Sequence, residues 1–376
     1  MGKLSLAAIL ALFGASSLIA ADAPGGAKVD LQGVVYGDFT QKKVKDADDS
    51  KNDSLLNLSV AIGYESGKIY DGLGFNLGAR VNRKLNEGHT GEWAGYGYDT
   101  TNNFDSAVFH TANLTYSDDV ITAVAGRQEI NLEWMSDYHE AAVGILSVSD
   151  AIKVIVGYTW KYAESDYDGD AGFADVNKGA GVVDVPITFG EVTIEPWLYY
   201  IPDISNWLGG KIGFANDSFG ISAAYTISQN DSDFSNEDGT VLHINANASF
   251  EGGFSVQAGY AQIDKDGGAG SLGAVGDNVN PFEDGNYFLE QDTSTIYIGV
   301  GYEQDAFSIS ALYGIFDTGN KGSGGEGTLN ELNLIADYAF NDWFALHGVI
   351  VQSTGNKVYK DVDEYTAFRA AAIFSY

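Results

Sequence analysis

Apolar residues recur every second position along most of this chain. Residues 54–65 put Leu56, Leu58, Val60, Ile62 and Tyr64 on one face, and residues 72–85 do the same with Leu73, Phe75, Leu77, Ala79 and Val81. A strand points successive side chains to opposite sides of its sheet, so each segment reads as a strand with one apolar face. The other face of the second segment carries Asn76, Arg80, Asn82 and Lys84. The core of a soluble protein cannot hold such a row, whereas a water-filled lumen can. Residues 364–376 end the chain in the same way: Phe368, Ala370, Ala372, Phe374 and Tyr376 share one face, and Arg369 lies on the other. In an open sheet this last strand is a sticky edge; in a closed barrel it pairs with the first strand.

The same unit repeats throughout: strand, short polar turn, strand, longer loop. Strands are predicted over 29–40, 54–65, 72–85, 105–117, 120–130, 141–148, 151–162, 179–189, 192–200, 209–215, 219–229, 240–250, 254–263, 295–303, 307–317, 329–340, 343–353 and 364–376. Short turns fall at 118–119, 149–150, 190–191, 216–218, 251–253, 304–305 and 341–342, and acidic or Gly-rich loops alternate with them, the longest over 264–294. A soluble sandwich would not keep turns and loops in strict alternation. The pattern predicts an all-β fold, a transmembrane antiparallel β-barrel of about 18 strands with short periplasmic turns and long extracellular loops. Tyr64, Tyr116, Phe250, Tyr302, Tyr338 and Trp343 fall near strand ends, where interfacial aromatic girdles belong.

Composition narrows the class. Past the first residues, no run of about 18 apolar residues exists to span a bilayer as a helix. Lys3 and the apolar stretch 4–19 read as a secretory signal peptide, residues 1–21, removed by cleavage after Ala20 or Ala21. The barrel then occupies residues 22–376. With no cysteine, the chain has neither a disulfide framework nor a lipoprotein anchor. The 52 acidic and 20 basic residues leave a formal charge of −32, which excludes a nucleic-acid binder.

The stretch Ala125-Gly126-Arg127-Gln128-Glu129-Ile130-Asn131-Leu132-Glu133-Trp134 resembles a hairpin and inward loop of the major outer membrane porins of the epsilonproteobacteria, the Opr-type porins. Glu195-Pro196-Trp197-Leu198-Tyr199-Tyr200 resembles a second segment of that family. Signal peptide, size and strand spacing agree over most of the chain. The resemblance implies an eighteen-stranded, trimeric, general diffusion porin of the bacterial outer membrane. The chain departs from the family in ending on Tyr376, where Phe is more usual.

Candidate chemistry follows from the breaks in the pattern. After Ile130 the alternation stops, and residues 131–140 follow the third outward-going strand, where a loop can fold into the lumen. Glu133, Asp137 and Glu140 would be its constriction acids, opposed by Arg80, Arg127, Lys153 and Arg369 on the wall. Acids facing bases set a transverse field across a narrow pore. Many loop carboxylates at the mouth predict a preference for cations. Asp166, Asp168 and Asp170 flank Gly169 like half a calcium loop, but position twelve is Asn177 and not Glu, so solvated acidic loop is the simpler reading and Ca2+ is an option, not a requirement. His89, His110, His139, His243 and His347 show no metal-ligand spacing, and no enzyme motif is present; a Ser/His pairing such as Ser353 with His347 is the one arrangement that spacing leaves open. The expected partners are outer-membrane lipid and lipopolysaccharide, further copies of the chain, and small hydrophilic solutes and ions. The rival reading is a surface adhesin or receptor acting through the long loops, which conductance in a planar bilayer distinguishes.

Overall fold

The computed structural model describes residues 26–43, 51–88, 105–231, 237–319, 327–355 and 364–376. The signal-peptide reading lies outside them. The strands are β1 (Lys28–Lys43), β2 (Lys51–Glu65), β3 (Leu73–Glu87), β4 (Asp105–Ser117), β5 (Ile121–Glu129), β6 (Tyr138–Ser149), β7 (Ile152–Asp166), β8 (Gly169–Asp184), β9 (Ile187–Phe189) and β10 (Val192–Ile201). They continue with β11 (Ser205–Ala215), β12 (Phe219–Asn230), β13 (Gly239–Ser249), β14 (Phe254–Ile263), β15 (Thr293–Gln304), β16 (Phe307–Thr318), β17 (Gly327–Asn341), β18 (Phe344–Gly355) and β19 (Glu364–Ser375).

Strands adjacent in sequence pair antiparallel, β8 and β9 excepted, and β1 pairs with β19 as well as β2, so the sheet closes. β8 and β9 both lie between β7 and β10; they are one wall strand interrupted at Pro186, which has no N–H to give the ladder. The wall therefore has 18 strands, as the alternation predicts. The end residue joins the seam: Leu31 and Tyr376 exchange backbone hydrogen bonds of 3.0 and 2.9 Å.

The outer surface is an apolar belt. Val60, Ile62, Leu77, Val81, Ile296, Ile298 and Phe368 point outward and are exposed. Leu73, Phe75, Leu77, Ala79 and Val81 share the outer face of β3, while Arg80 and Asn82 are buried inside. At the short-turn rim the aromatics stack: Phe344 lies 5.0 Å from both Phe340 and Phe374, and Trp343 packs on Tyr376.

The interior is divided. Over β1–β4 the inward residues are mostly polar, Asp38, Thr40, Asn57, Ser59, Arg80, Asn82 and Asn113 among them, with Val34, Tyr36 and Leu55 as an apolar spot. Over β10–β17 they are largely apolar and buried, Trp197, Tyr199, Trp207, Ile263, Phe316 and Leu329 among them. An apolar lumen wall must be covered, and loops folded inward cover it.

The acidic stretch 163–178 is not a loop. β7 runs to Asp166 and β8 starts at Gly169, so a two-residue turn joins them. Acidic composition disfavours a buried strand, but Glu164, Asp166 and Asp175 of this hairpin are exposed, and only its tip turns into the lumen. Residues 166–170 are therefore a tight hairpin tip. Asp166 Oδ1 accepts from the Tyr167 N–H (2.6 Å), and among the described residues no three His, Asp or Glu side chains are grouped to hold a metal.

Candidate functional site

Three inward elements narrow the lumen. The first is residues 130–137, between β5 and β6. Trp134 and Met135 are fully buried. The Trp134 indole N–H donates to Thr226 Oγ1 (2.9 Å), so an aromatic anchor reaches β12 with its one polar atom satisfied. His139 Nε2 bonds to the Ser136 carbonyl (2.7 Å) and ties the loop's far end to β6.

The second is residues 264–292, between β14 and β15. It is zipped to the first: Asn278 N–H donates to Glu133 O (3.0 Å), and Asn278 Nδ2 donates to Asn131 Oδ1 and Leu132 O (both 2.7 Å). Gly276 has φ +81°, and a Cβ there would meet Ser136 Oγ at 2.5 Å, so the close approach of the two loops requires glycine. The tip of this element reaches along the wall to β17 and β19. Arg369 on β19 donates from Nη2 to Asp284 Oδ1 (2.6 Å) and from Nε to Asp38 Oδ2 on β1 (3.2 Å). Glu331 on β17 accepts the N–H groups of Asp284 (3.3 Å) and Gly285 (3.1 Å).

The third is the β7–β8 turn. Asn57 Nδ2 donates to Tyr167 O (2.8 Å), Asn82 Nδ2 to Asp166 O (3.0 Å), and the Tyr167 ring lies 5.6 Å from that of Tyr36.

The sequence-predicted charges divide into three groups. Arg80 and Arg369 do face the lumen. Arg80 donates to Ser59 Oγ (3.0 Å) and Gln32 Oε1 (3.5 Å), with no carboxylate at ion-pair distance among the described residues. Glu133 and Asp137 do lie on the inward loop, but Glu133 is paired with Lys211 of β11 and Asp137 Oδ2 accepts from Ser136 Oγ (3.0 Å) and Tyr162 OH (3.2 Å). Arg127 and Glu140 do not face the lumen. They pair with each other (3.2 Å), Trp160 donates to Glu140 (2.8 Å), and Arg127 stacks on Phe173 (4.4 Å). Trp160 shares the outward register of Val156 and Tyr158, and Arg127 that of Ile121 and Ala125. Lys153 is also misplaced: it is the second residue of β7, at the short-turn rim, away from the loop it was to oppose. His347 bonds Asp337 (2.7 Å), whose other oxygen accepts from Ser308 (3.1 Å), so Ser353 is not its partner.

Asp38, Asn57, Glu283, Asp284 and Lys211 escaped the sequence reading. Asp38 alone left a signal: it shares the inward register of β1 and faces Arg369 once first and last strands are paired.

Burial pushes the Asp168 carboxyl up to about 7, and the Asp166 charge adds to this, against the opposing pull of Arg369 and Arg80. Burial likewise raises Glu283, with Arg369 opposing, and Asp277.

The Gram-negative porin family matches residues 5–357. No curated protein is similar enough in sequence to count as a relative. Among solved structures, OccK9 (OpdG) of Pseudomonas aeruginosa superposes with a TM-score of 0.75 at 13% identity, covering 93% of this chain and 98% of that one. OpdK of the same organism gives 0.73 at 10% identity, covering 93% and 98%. Acinetobacter baumannii OccAB4 gives 0.72 at 13% identity, covering 93% and 98%. At these identities the structures speak for the shared fold, and the family match carries the rest. A closed barrel with an apolar belt, a polar half-lumen and loops folded into it belongs to the Gram-negative porin family, and the chain is an outer-membrane channel for small solutes.

Proposed function

We propose that this channel passes small hydrophilic solutes passively and prefers cations. The observation that carries the reading is the charge balance of the narrow region. Asp38, Asp166, Asp168, Glu283 and Asp284 gather round Arg80 and Arg369, the two guanidiniums that face the lumen from β3 and β19. Fixed charge between low-dielectric walls concentrates counter-ions. Glu133 and Asp137 line the inward loop but are held by Lys211, Ser136 and Tyr162, so they shape the passage more than they charge it. No catalytic role is assigned to the Ser308, Asp337 and His347 row: the carboxylate sits in the middle, so no base bridges to the hydroxyl.

Two further points belong to this reading. Arg127, Glu140, Lys161 and Asp175 are aligned across β5–β8 at the long-loop rim, a row suited to charged lipid headgroups. Gly37, Ala370, Gly348 and Ala336 are aligned across β1, β19, β18 and β17, which supports close packing of a second copy, as the trimer of the resembled family requires. Cross-linking in detergent tests the second point.

The test of selectivity is the reversal potential in a planar bilayer under a KCl gradient. Cation preference at low salt is expected, weakening as exposed charges become screened beyond about 8 Å at physiological ionic strength. Anion preference at low salt overturns the reading.

A further inference from the structure

The β7–β8 turn is in an unexpected place. β7 and β8 belong to the wall between β6 and β10, yet the turn touches β1, β2 and β3, with β4–β6 lying between them in the wall. The hairpin therefore leaves the wall and enters the lumen. Tyr36, which it meets, is the ninth residue of the sixteen in β1, so the tip reaches about mid-height.

The receiving surface is built for it. Asn57 and Asn82 are buried and linked by Asn57 Nδ2 to Asn82 Oδ1 (3.1 Å), a pairing that orients both amides. Each spends a remaining N–H on a turn carbonyl, at 2.8 and 3.0 Å. Backbone carbonyls at a tight tip face outward, so without these donors they would need water. Beside the amides, Val34, Tyr36, Leu55 and Ala371 form an apolar spot on an otherwise polar wall, and Tyr167 packs onto it. An apolar spot facing a water-filled lumen is explained when something sits on it.

The three inward elements are not held equally. Residues 130–137 are fixed by two fully buried side chains, and residues 264–292 by an ion pair and the zipper. The turn is met by two amides and one ring, with the Arg80 and Arg369 charges acting on Asp168. It also carries Asp166 and Asp168, whose mutual repulsion grows as Asp168 ionises.

We propose that Asn57 and Asn82 are positioning residues that hold the β7–β8 turn across the lumen as a strap, and that this strap sets the size limit for solutes. The proposal rests on the channel reading above.

The test compares Asn57→Ala/Asn82→Ala with Asn76→Ala/Asn113→Ala. The second pair is a like-for-like truncation on the same wall, since Asn76 and Asn113 also bond each other (3.2 Å) but do not bond the turn. Both are reconstituted in liposomes with wild type, and swelling is followed with neutral sugars of increasing size, alongside single-channel conductance. A boiled-versus-unboiled gel shift establishes that each variant is folded. The strap variant is expected to admit sugars that wild type excludes and to raise conductance about twofold, as a wider, wetter constriction should. The control pair should keep the wild-type limit. Tyr167→Ala, a change in the turn itself, should act in the same direction and covers the case in which the double variant does not fold. Equal behaviour of strap variant and wild type overturns the proposal, as does an equal gain in both double variants, which would reduce the effect to lost side-chain volume. A wild-type protein that inserts and gives no conductance would instead sink the channel reading itself.

Discussion

Arg80 and Arg369 line one lumen in different electrical states. Among the described residues Arg80 bonds the neutral oxygens of Ser59 and Gln32 and no carboxylate, so no direct ion pair neutralises its charge. Arg369 is spent on Asp38 and Asp284. Arg80→Ala should make the channel more cation-selective without loosening it, read from the reversal potential. Arg369→Ala strands Asp38, which is buried, without its counter-charge; losing one partner of such a pair costs roughly 3–5 kcal/mol. It should lower the unfolding midpoint in urea and add open-channel noise as residues 264–292 come free. Asp168 gives a pH signature. Its carboxyl, raised to about 7, is neutral in mild acid and charged in mild base. Cation conductance should therefore rise between pH 5 and 8, and Asp168→Asn should flatten that rise. Stability moves oppositely: the folded pKa lies above the unfolded one, so this group's contribution declines as pH climbs from the ordinary carboxylate range to about 7.

Strands were legible because a period of two needs no context. β4 and β14 begin and end where the alternation does, over residues 105–117 and 254–263. What the period cannot tell is which face looks in when both are weakly apolar. β5 reads Ile-Thr-Ala-Val-Ala-Gly-Arg-Gln-Glu, with small or apolar residues on both sides, and so Arg127 was assigned inward when it points out with Glu140. A bulge adds to the difficulty: between Glu140 and Ala141 the partner strand spends the extra residue Trp160, and counting in twos fails across it. The narrowing elements were half legible. Residues 131–140 break the pattern and read as an inward loop, though 138–140 belong to β6, whereas the 163–178 hairpin is hidden by its acids. Asn57 and Asn82 look like any lumen polar residues until their partners 110 and 84 positions away are in place. Where the face is clear, as on β3, the register makes a sharp forecast. Val81 is the ninth of fifteen residues, half exposed on the outer face. Val81→Arg should cost about 2–4 kcal/mol in lipid vesicles, and Asn76→Arg, which faces water, far less. Equal costs would mean that the faces of β3 are reversed.

At the scale of the whole molecule, stability resides in the closed ladder. With β8 and β9 counted as one wall strand, all strand pairings are between neighbours except the seam, and closure leaves no open edge. Such a barrel resists detergent until heated, so an unboiled sample should run apart from a boiled one on a gel. Coincident bands with a helical circular dichroism spectrum would contradict the fold. The seam also orders events in time. Asp38 meets Arg369 across 331 positions of chain, and β1 finds its second partner only in β19. Until β19 arrives, β1 offers a row of unpaired N–H and C=O groups to any other strand nearby. Between β2 and β18 every wall strand has both its partners next to it in sequence. The first strand alone must find its second partner at the far end of the chain, so its outer edge stays open until the two ends meet.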